Sequence, residues 1–128
     1  MIFARRVFQI AGIYGLIVVT LAYAAHLAGV EQAVVYSDHP ELVHGFFLVT
    51  LAWQVAFLLI ATDPVRFRVL MLAAMLEKFP FTIVVLLFYA GGYVDTIRLD
   101  LGLIDGLIGI LFSIAYVLTD REARAEAE

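Results

Sequence analysis

The chain has 128 residues, of which 64% are apolar and only 16% are charged, and its formal net charge is -4. In soluble proteins about a quarter of the residues are charged, and so few charges could not cover this much apolar surface in water. The absence of cysteine excludes disulfides, thiolate metal sites and cysteine nucleophiles. No basic run suggests a nucleic-acid partner. The composition therefore indicates a protein surrounded by the lipid bilayer.

Four apolar stretches are long enough to cross a bilayer as helices, which takes about 20 residues each. They cover residues 7–28, 42–62, 69–90 and 99–119, and none shows the alternation of a membrane strand. The first follows a short basic segment, as in a signal peptide, but it is long for one, so we interpret it as a span. The sequence thus predicts one all-α domain, a four-helix transmembrane bundle in up-down-up-down order.

The arginines predict the orientation of the bundle. Only Arg98 lies in a loop on the side opposite both predicted ends of the bundle. Because cytoplasmic loops retain positive charge, we expect both termini in the cytoplasm of a multi-pass plasma-membrane protein. The arginines on the side of the termini are Arg5, Arg6, Arg66, Arg68, Arg121 and Arg124.

Glycines repeat at helical spacing on the first and fourth predicted helices. Lipid tails are as apolar as leucine, so helices in a bilayer associate through close packing at small residues and through polar contacts. The glycines therefore predict packing within the bundle, and homo-oligomerisation through the fourth helix is the alternative. They are Gly12, Gly15, Gly102, Gly106 and Gly109.

Polar side chains inside the predicted spans are costly in hydrocarbon, so each is a candidate functional group. The Lys78 stem is long enough to reach Asp105, which we place about 7 Å further out, so these two residues form the expected ion pair. Glu77 is not expected to pair with Lys78, because adjacent helical residues point about 100° apart. A helical rise of about 1.5 Å per residue predicts one polar layer drawn from all four helices. Its members are Tyr14, Gln54, Glu77 and Ser113.

Pro80 lies within the third predicted span, close to Glu77. Proline removes a backbone donor and crowds the preceding turn, so we expect a kink and a freed carbonyl beside Glu77. Together with a carboxylate at membrane depth, these features predict a ligand or proton site. The alternative is that Gln54 hydrogen-bonds Glu77 and Lys78 pairs with Asp105 only to hold the helices together.

Three histidines, His26, His39 and His44, lie toward the outer face of the predicted bundle. His26 and His44 could meet at similar depth, which makes them weak candidates for a metal or haem site. Two ligands without an H-x-x-x-H motif or nearby carboxylates are not typical of such a site. We therefore predict no metal and no cofactor, and we expect these histidines among the tyrosines of the interfacial belt.

Short motifs are distributed over most of the chain: FQIAGIYG at 8–15, His39-Pro40-Glu41, Ala52-Trp53-Gln54, DPVRFR at 63–68, Leu76-Glu77-Lys78 and Leu103-Ile104-Asp105. Together they are similar to an uncharacterised family of small bacterial four-helix membrane proteins. This resemblance implies a bacterial inner-membrane protein but implies no activity. That family more often has tyrosine at the position of His44, which weakens His44 as a functional residue. The topology also loosely resembles the DoxX-like membrane proteins, without a shared motif.

Three classes of function remain open. Small size and the glycine spacing favour a structural or accessory protein that contacts copies of itself or a larger membrane complex. The layer around Gln54, Glu77 and Pro80 suits a protein that binds a lipid, a quinone or a similar apolar molecule. Glu77, Lys78 and Asp105 as a relay would suit a proton-coupled transporter or small channel. No catalytic signature is present, so an enzyme is not expected.

These classes predict different interiors. A structural protein should have a close-packed core in which every buried polar atom has a partner. A binding protein should have an apolar-walled pocket near Pro80. A transporter should have a water-filled path that reaches Glu77 from at least one side of the membrane.

Overall fold

A computed structural model describes residues 2–127, and within this range the chain forms four α-helices and no strands. The helices are α1 (Ile2–Leu27), α2 (Pro40–Thr62), α3 (Leu70–Ala90) and α4 (Thr96–Ala125). Each is long and apolar enough to cross a membrane. The predicted all-α transmembrane bundle is confirmed. Helices α1 and α4 extend beyond the predicted spans, because polar residues next to the apolar stretch continue the helix.

The helices pair as two antiparallel hairpins, α1–α2 and α3–α4. Arg5 near the start of α1 donates to the Thr62 carbonyl at the end of α2, at 3.3 Å. Arg68, just before α3, lies 3.6 Å from the Asp120 carboxylate late in α4. Helix α1 also packs on α4, whereas α2 and α3 contact each other less than the other neighbouring pairs do. The order is therefore up-down-up-down, with a gap between the hairpins on the side of α2 and α3.

A close-packed aromatic core fills the half of the bundle nearer the termini. Phe8 stacks on Phe112 with ring centroids 4.1 Å apart, and Phe57 meets Phe112 edge-on at 4.9 Å. Alanines around the rings let the helices approach closely enough for this packing. The other buried members are Ala4, Ala11, Ile60, Ala61, Met71, Ala74 and Ala115. This core closes one end of the bundle.

The glycines of α4 pack against α3. A Cβ added to Gly102 would lie 2.7 Å from Val85 Cγ1, and one added to Gly109 would lie 2.9 Å from Phe79 Cε1. Such contacts are too close for a real side chain, so only glycine allows this approach. Gly106 lies between them, opposite Thr82. The glycine face of α4 is therefore covered within the chain.

The glycines of α1 pack against α2 in the same way. A Cβ on Gly12 would lie 2.8 Å from Leu58 Cδ2, and one on Gly15 would overlap the side-chain amide of Gln54. Both glycines are buried. Gly15 thus makes room for a polar side chain of α2 at the depth where the close-packed core ends.

Candidate functional site

A cavity of about 1280 Å³ lies between the two hairpins, in the half of the bundle remote from the termini. Ligand pockets are typically about 300–1,000 Å³, so this volume is ample for a small molecule. Pro80 does not line the cavity, but the next residue, Phe81, does. The apolar wall includes the aromatic residues Phe46, Phe47, Trp53, Phe81 and Phe88.

The end of the cavity nearer the chain termini is lined by an ionic cluster of Glu77, Lys78 and Asp105. Lys78 Nζ donates a hydrogen bond to Asp105 Oδ1 at 3.1 Å, so the expected ion pair is present. The same ammonium lies 3.1 Å from Glu77 Oε2. The prediction that Glu77 would not pair with Lys78 is therefore wrong. The flexible lysine stem brings its ammonium beside the neighbouring carboxylate, although the two Cβ atoms point in different directions.

Lys78 stands at the boundary between the cavity and the close-packed core. Its side chain is only 6% exposed. Its ammonium lies 5.3 Å from the centroid of the Phe57 ring, which is fully buried. An aromatic face attracts a cation, so Phe57 adds to the stabilisation supplied by the two carboxylates. The ammonium thus has anionic partners and an aromatic partner from the core.

Two buried acceptors in the cavity lining have no hydrogen-bond donor among residues 2–127: Gln54 Oε1 and Glu77 Oε2. Gln54 is 1% exposed, and its Nε2 donates to the Thr50 carbonyl of its own helix at 3.0 Å. Glu77 Oε2 is within ion-pair distance of Lys78, but the angles are not those of a hydrogen bond. The alternative expectation of a Gln54–Glu77 hydrogen bond is therefore wrong. A buried polar atom without a partner costs about 1–3 kcal/mol, so a bound donor would stabilise Gln54 Oε1.

Of the other members of the predicted polar layer, only Tyr14 lines the cavity, and Ser113 does not. Tyr14 lines the cavity, and it also borders a groove of about 520 Å³ between α1 and α4. Ser113 does not line the cavity, and its Oγ lies 3.0 Å from Met75 Sδ. Met75 is two residues from Glu77 on α3, so the helical rise puts Ser113 within about 3 Å of the depth of Glu77. Ser113 is therefore near Glu77 in depth but lies outside the cavity.

The mouth of the cavity is acidic. Glu31, Glu41 and Asp95 line this end, together with the basic residue Arg98. Arg98 forms an ion pair with Asp95 at 3.0 Å, which neutralises both side chains. Glu31 and Glu41 therefore leave an excess of negative charge at the entrance, apart from the weak contact of Glu41 with the exposed His39.

His26 and His44 meet near the mouth, with ring centroids 5.8 Å apart. His26 Nδ1 accepts a hydrogen bond from the Val35 amide at 3.1 Å, which fixes the loop between α1 and α2. His44 Nδ1 lies 2.9 Å from the Tyr23 hydroxyl. The described part of the chain contains no group of three or more side chains suited to a metal ion. Both rings therefore have hydrogen-bond partners within the bundle.

The aromatic wall is the part of the site that sequence reasoning missed. Apolar residues that line a cavity have the same composition as apolar residues that face lipid, so hydropathy does not distinguish them. Spacing offered one signal, because Phe46 and Trp53 are seven residues apart, as are Phe81 and Phe88. Residues seven apart share a helix face, so these pairs could have indicated two aromatic faces.

The fold and the site define a multi-pass helical membrane protein with a cavity that is closed at the end bearing the termini. No protein-family model matches the chain, and no curated protein or solved structure is significantly similar to it. The chemistry of the cavity is therefore the basis for assigning a function.

Proposed function

We propose that the protein binds a small amphipathic molecule, with the apolar part of the ligand between the hairpins and its polar head at Glu77, Lys78 and Asp105. The observation that carries this proposal is an apolar-walled cavity of about 1280 Å³ that ends on a buried ionic cluster. Ligand sites commonly combine apolar walls with a few polar groups that converge on one point. Lipids, quinones and similar molecules of the bilayer have this amphipathic character.

The orientation completes the proposal. The six arginines at the closed end favour the cytoplasmic side for that end, as the positive-inside rule requires. In a bacterial inner membrane the cavity would then open toward the periplasm. A ligand would enter from that side or from the outer leaflet.

A purely structural role is less well supported than ligand binding. A bundle that serves only to pack helices should fill its interior and give each buried polar atom a partner. The half around Phe8 and Phe112 fits that description. The other half has a large cavity and the buried Gln54 Oε1, which has no hydrogen-bond donor among residues 2–127. These features favour a bound molecule.

The ionic cluster supports a second candidate, a proton-coupled transporter with Glu77, Lys78 and Asp105 as the relay. The cavity gives this cluster access from one side, and alternating access would require the core around Phe57 to open. Proteoliposomes with an internal pH dye test this function. Ligand-driven proton movement that is lost in Glu77→Gln would support it, whereas binding without proton movement would leave only the binding function.

The fluorescence of Trp53 tests ligand binding directly. Trp53 is the one tryptophan in the sequence, and it lines the cavity. Bromodecanol is a suitable probe because it is amphipathic and its bromine quenches a tryptophan on contact. Titrated into the protein in a neutral detergent, it should quench Trp53 to a saturating limit. Quenching that only rises linearly with probe concentration would count against a binding site.

Gly45 offers a matched pair of control variants. It lines the cavity, and a Cβ at this position would meet no atom within 4 Å. Gly45→Phe has open space at its Cβ, so its ring should narrow the cavity and reduce saturable quenching several-fold. Gly45→Ala should leave the quenching nearly unchanged. Equal quenching in both variants and the parent chain would show that the probe does not enter the cavity.

A further inference from the structure

We infer that the polar head of the ligand is a cationic ammonium group able to donate hydrogen bonds. This inference rests on the proposed function, because it names the chemical class of ligand for the same cavity. Three features of the site carry it: the charge of the ionic cluster, the buried Gln54 acceptor without a donor, and the aromatic and acidic route from the mouth.

The charges of the cluster do not balance. Lys78 supplies one positive charge, whereas Glu77 and Asp105 supply two negative charges, each 3.1 Å from the same ammonium. The facing helices add neutral groups to the lining at this depth, Tyr14 from α1 and Gln54 from α2. With its members ionised, the cluster therefore carries an excess negative charge away from bulk water. Such a charge is costly without a partner, so a cationic head would stabilise the site.

The buried acceptors narrow the choice of head group. Gln54 Oε1 has no hydrogen-bond donor among residues 2–127, and Glu77 Oε2 has only its ion-pair contact with Lys78. A primary ammonium has three N–H donors and can satisfy two acceptors at once. A quaternary ammonium has none. An anionic head would compete with Glu77 and Asp105 for Lys78 and leave Gln54 Oε1 without a donor.

The route from the mouth to the cluster also favours a cation. Glu31 and Glu41 give the entrance its excess negative charge, because Arg98 is paired with Asp95. Acidic residues at the entrance of an apolar-walled cleft raise the local concentration of cations. The faces of aromatic residues along the wall, Trp53 among them, attract cations as well.

Three matched competitors test the inference against bromodecanol. Phenylbutylamine, phenylbutanol and phenylbutyrate share one apolar body and are cationic, neutral and anionic at neutral pH. Each is added to the quenched complex, and recovery of Trp53 fluorescence reports displacement. A charge-assisted hydrogen bond favours the amine, so it should displace the probe at a concentration at least about tenfold lower than the alcohol. Phenylbutyrate should be the weakest competitor.

Glu77→Gln is the decisive variant, because it leaves Lys78 with one carboxylate and balances the cluster. The advantage of the amine over the alcohol should then fall to about one, while displacement by the alcohol is retained. Asp100→Asn is the control. It removes an exposed carboxylate of α4 that does not line the cavity, so the preference for the amine should persist.

The outcomes separate this inference from the proposed function. Equal displacement by the three competitors, or preference for the anion, would overturn the cationic assignment and leave ligand binding intact. An unchanged preference for the amine in Glu77→Gln would overturn it as well. If bromodecanol itself does not quench Trp53 saturably, the proposed function fails and the inference fails with it.

Discussion

Lys78→Met is expected to be among the most destabilising single substitutions in this bundle. Lys78 is 5% exposed, and its ammonium lies 3.1 Å from a carboxylate on either side. Methionine retains an apolar stem of similar shape but leaves Glu77 and Asp105 without a cation. Removing one member of a buried ion pair costs about 3–5 kcal/mol. A neutral interhelical hydrogen bond in a membrane averages only about 0.6 kcal/mol.

The free energy of unfolding can be measured in mixed micelles by titration with a denaturing detergent, with helical circular dichroism as the readout. We expect Lys78→Met to lower it by about 3–5 kcal/mol. The matched control is Arg98→Gln, which removes the cation of an ion pair whose side chains are 49% and 52% exposed. Exposed pairs contribute about 0.2–1 kcal/mol, so this control should lose no more than that.

Compensating substitutions make the test specific. Adding Glu77→Gln and Asp105→Asn to Lys78→Met removes both unpaired charges and should restore most of the lost stability. The reasoning is refuted if Lys78→Met costs no more than Arg98→Gln. It is also refuted if the triple variant is no more stable than Lys78→Met alone, because the loss would then come from packing rather than from charge.

Three further predictions use the same unfolding assay. Gly15→Ala should lower the free energy of unfolding by about 1–3 kcal/mol, because the added methyl overlaps the Gln54 amide. Gly45→Ala has open space at its Cβ and should raise that free energy by about 0.5–1 kcal/mol. A change of the same sign in both variants would contradict the packing described. Phe112→Ala, at a fully buried ring, should cost about 3–5 kcal/mol. An equal loss in the exposed Phe46→Ala would count against a localised core. Asp95→Ala should lower the free energy of unfolding by about 1 kcal/mol, because Asp95 caps the start of α4: its Oδ1 accepts from the Arg98 amide at 2.9 Å. An unchanged free energy would show that this cap contributes nothing.

The sequence predicted the features that follow from local chemistry and regular helical geometry. Hydropathy located all four helices, and a rise of about 1.5 Å per residue brought Lys78 within reach of Asp105. Glu77 was misjudged because direction at Cβ does not limit where a long lysine stem places its ammonium.

The cavity could not have been predicted from the sequence. It depends on how the two hairpins diverge between α2 and α3, and this divergence leaves no mark on composition. Phe81 and Trp53 would be equally apolar if they faced lipid. The unpartnered state of Gln54 Oε1 likewise depends on where the helices stand relative to one another. Such features follow from tertiary packing rather than from any local pattern.

The ionic cluster is the feature of this bundle that stability alone explains least. Replacing a buried ion network by well-packed apolar residues is often neutral or stabilising, so a bundle shaped only for packing gains little from Lys78 and its two carboxylates. The close-packed core around Phe57 shows that this chain can fill its interior with rings and alanines. We therefore expect the triple variant Glu77→Gln, Lys78→Met and Asp105→Asn to keep most of the unfolding free energy and to lose the preference for phenylbutylamine over phenylbutanol. Retained preference in a stably folded triple variant would show that the cluster does not select the ligand.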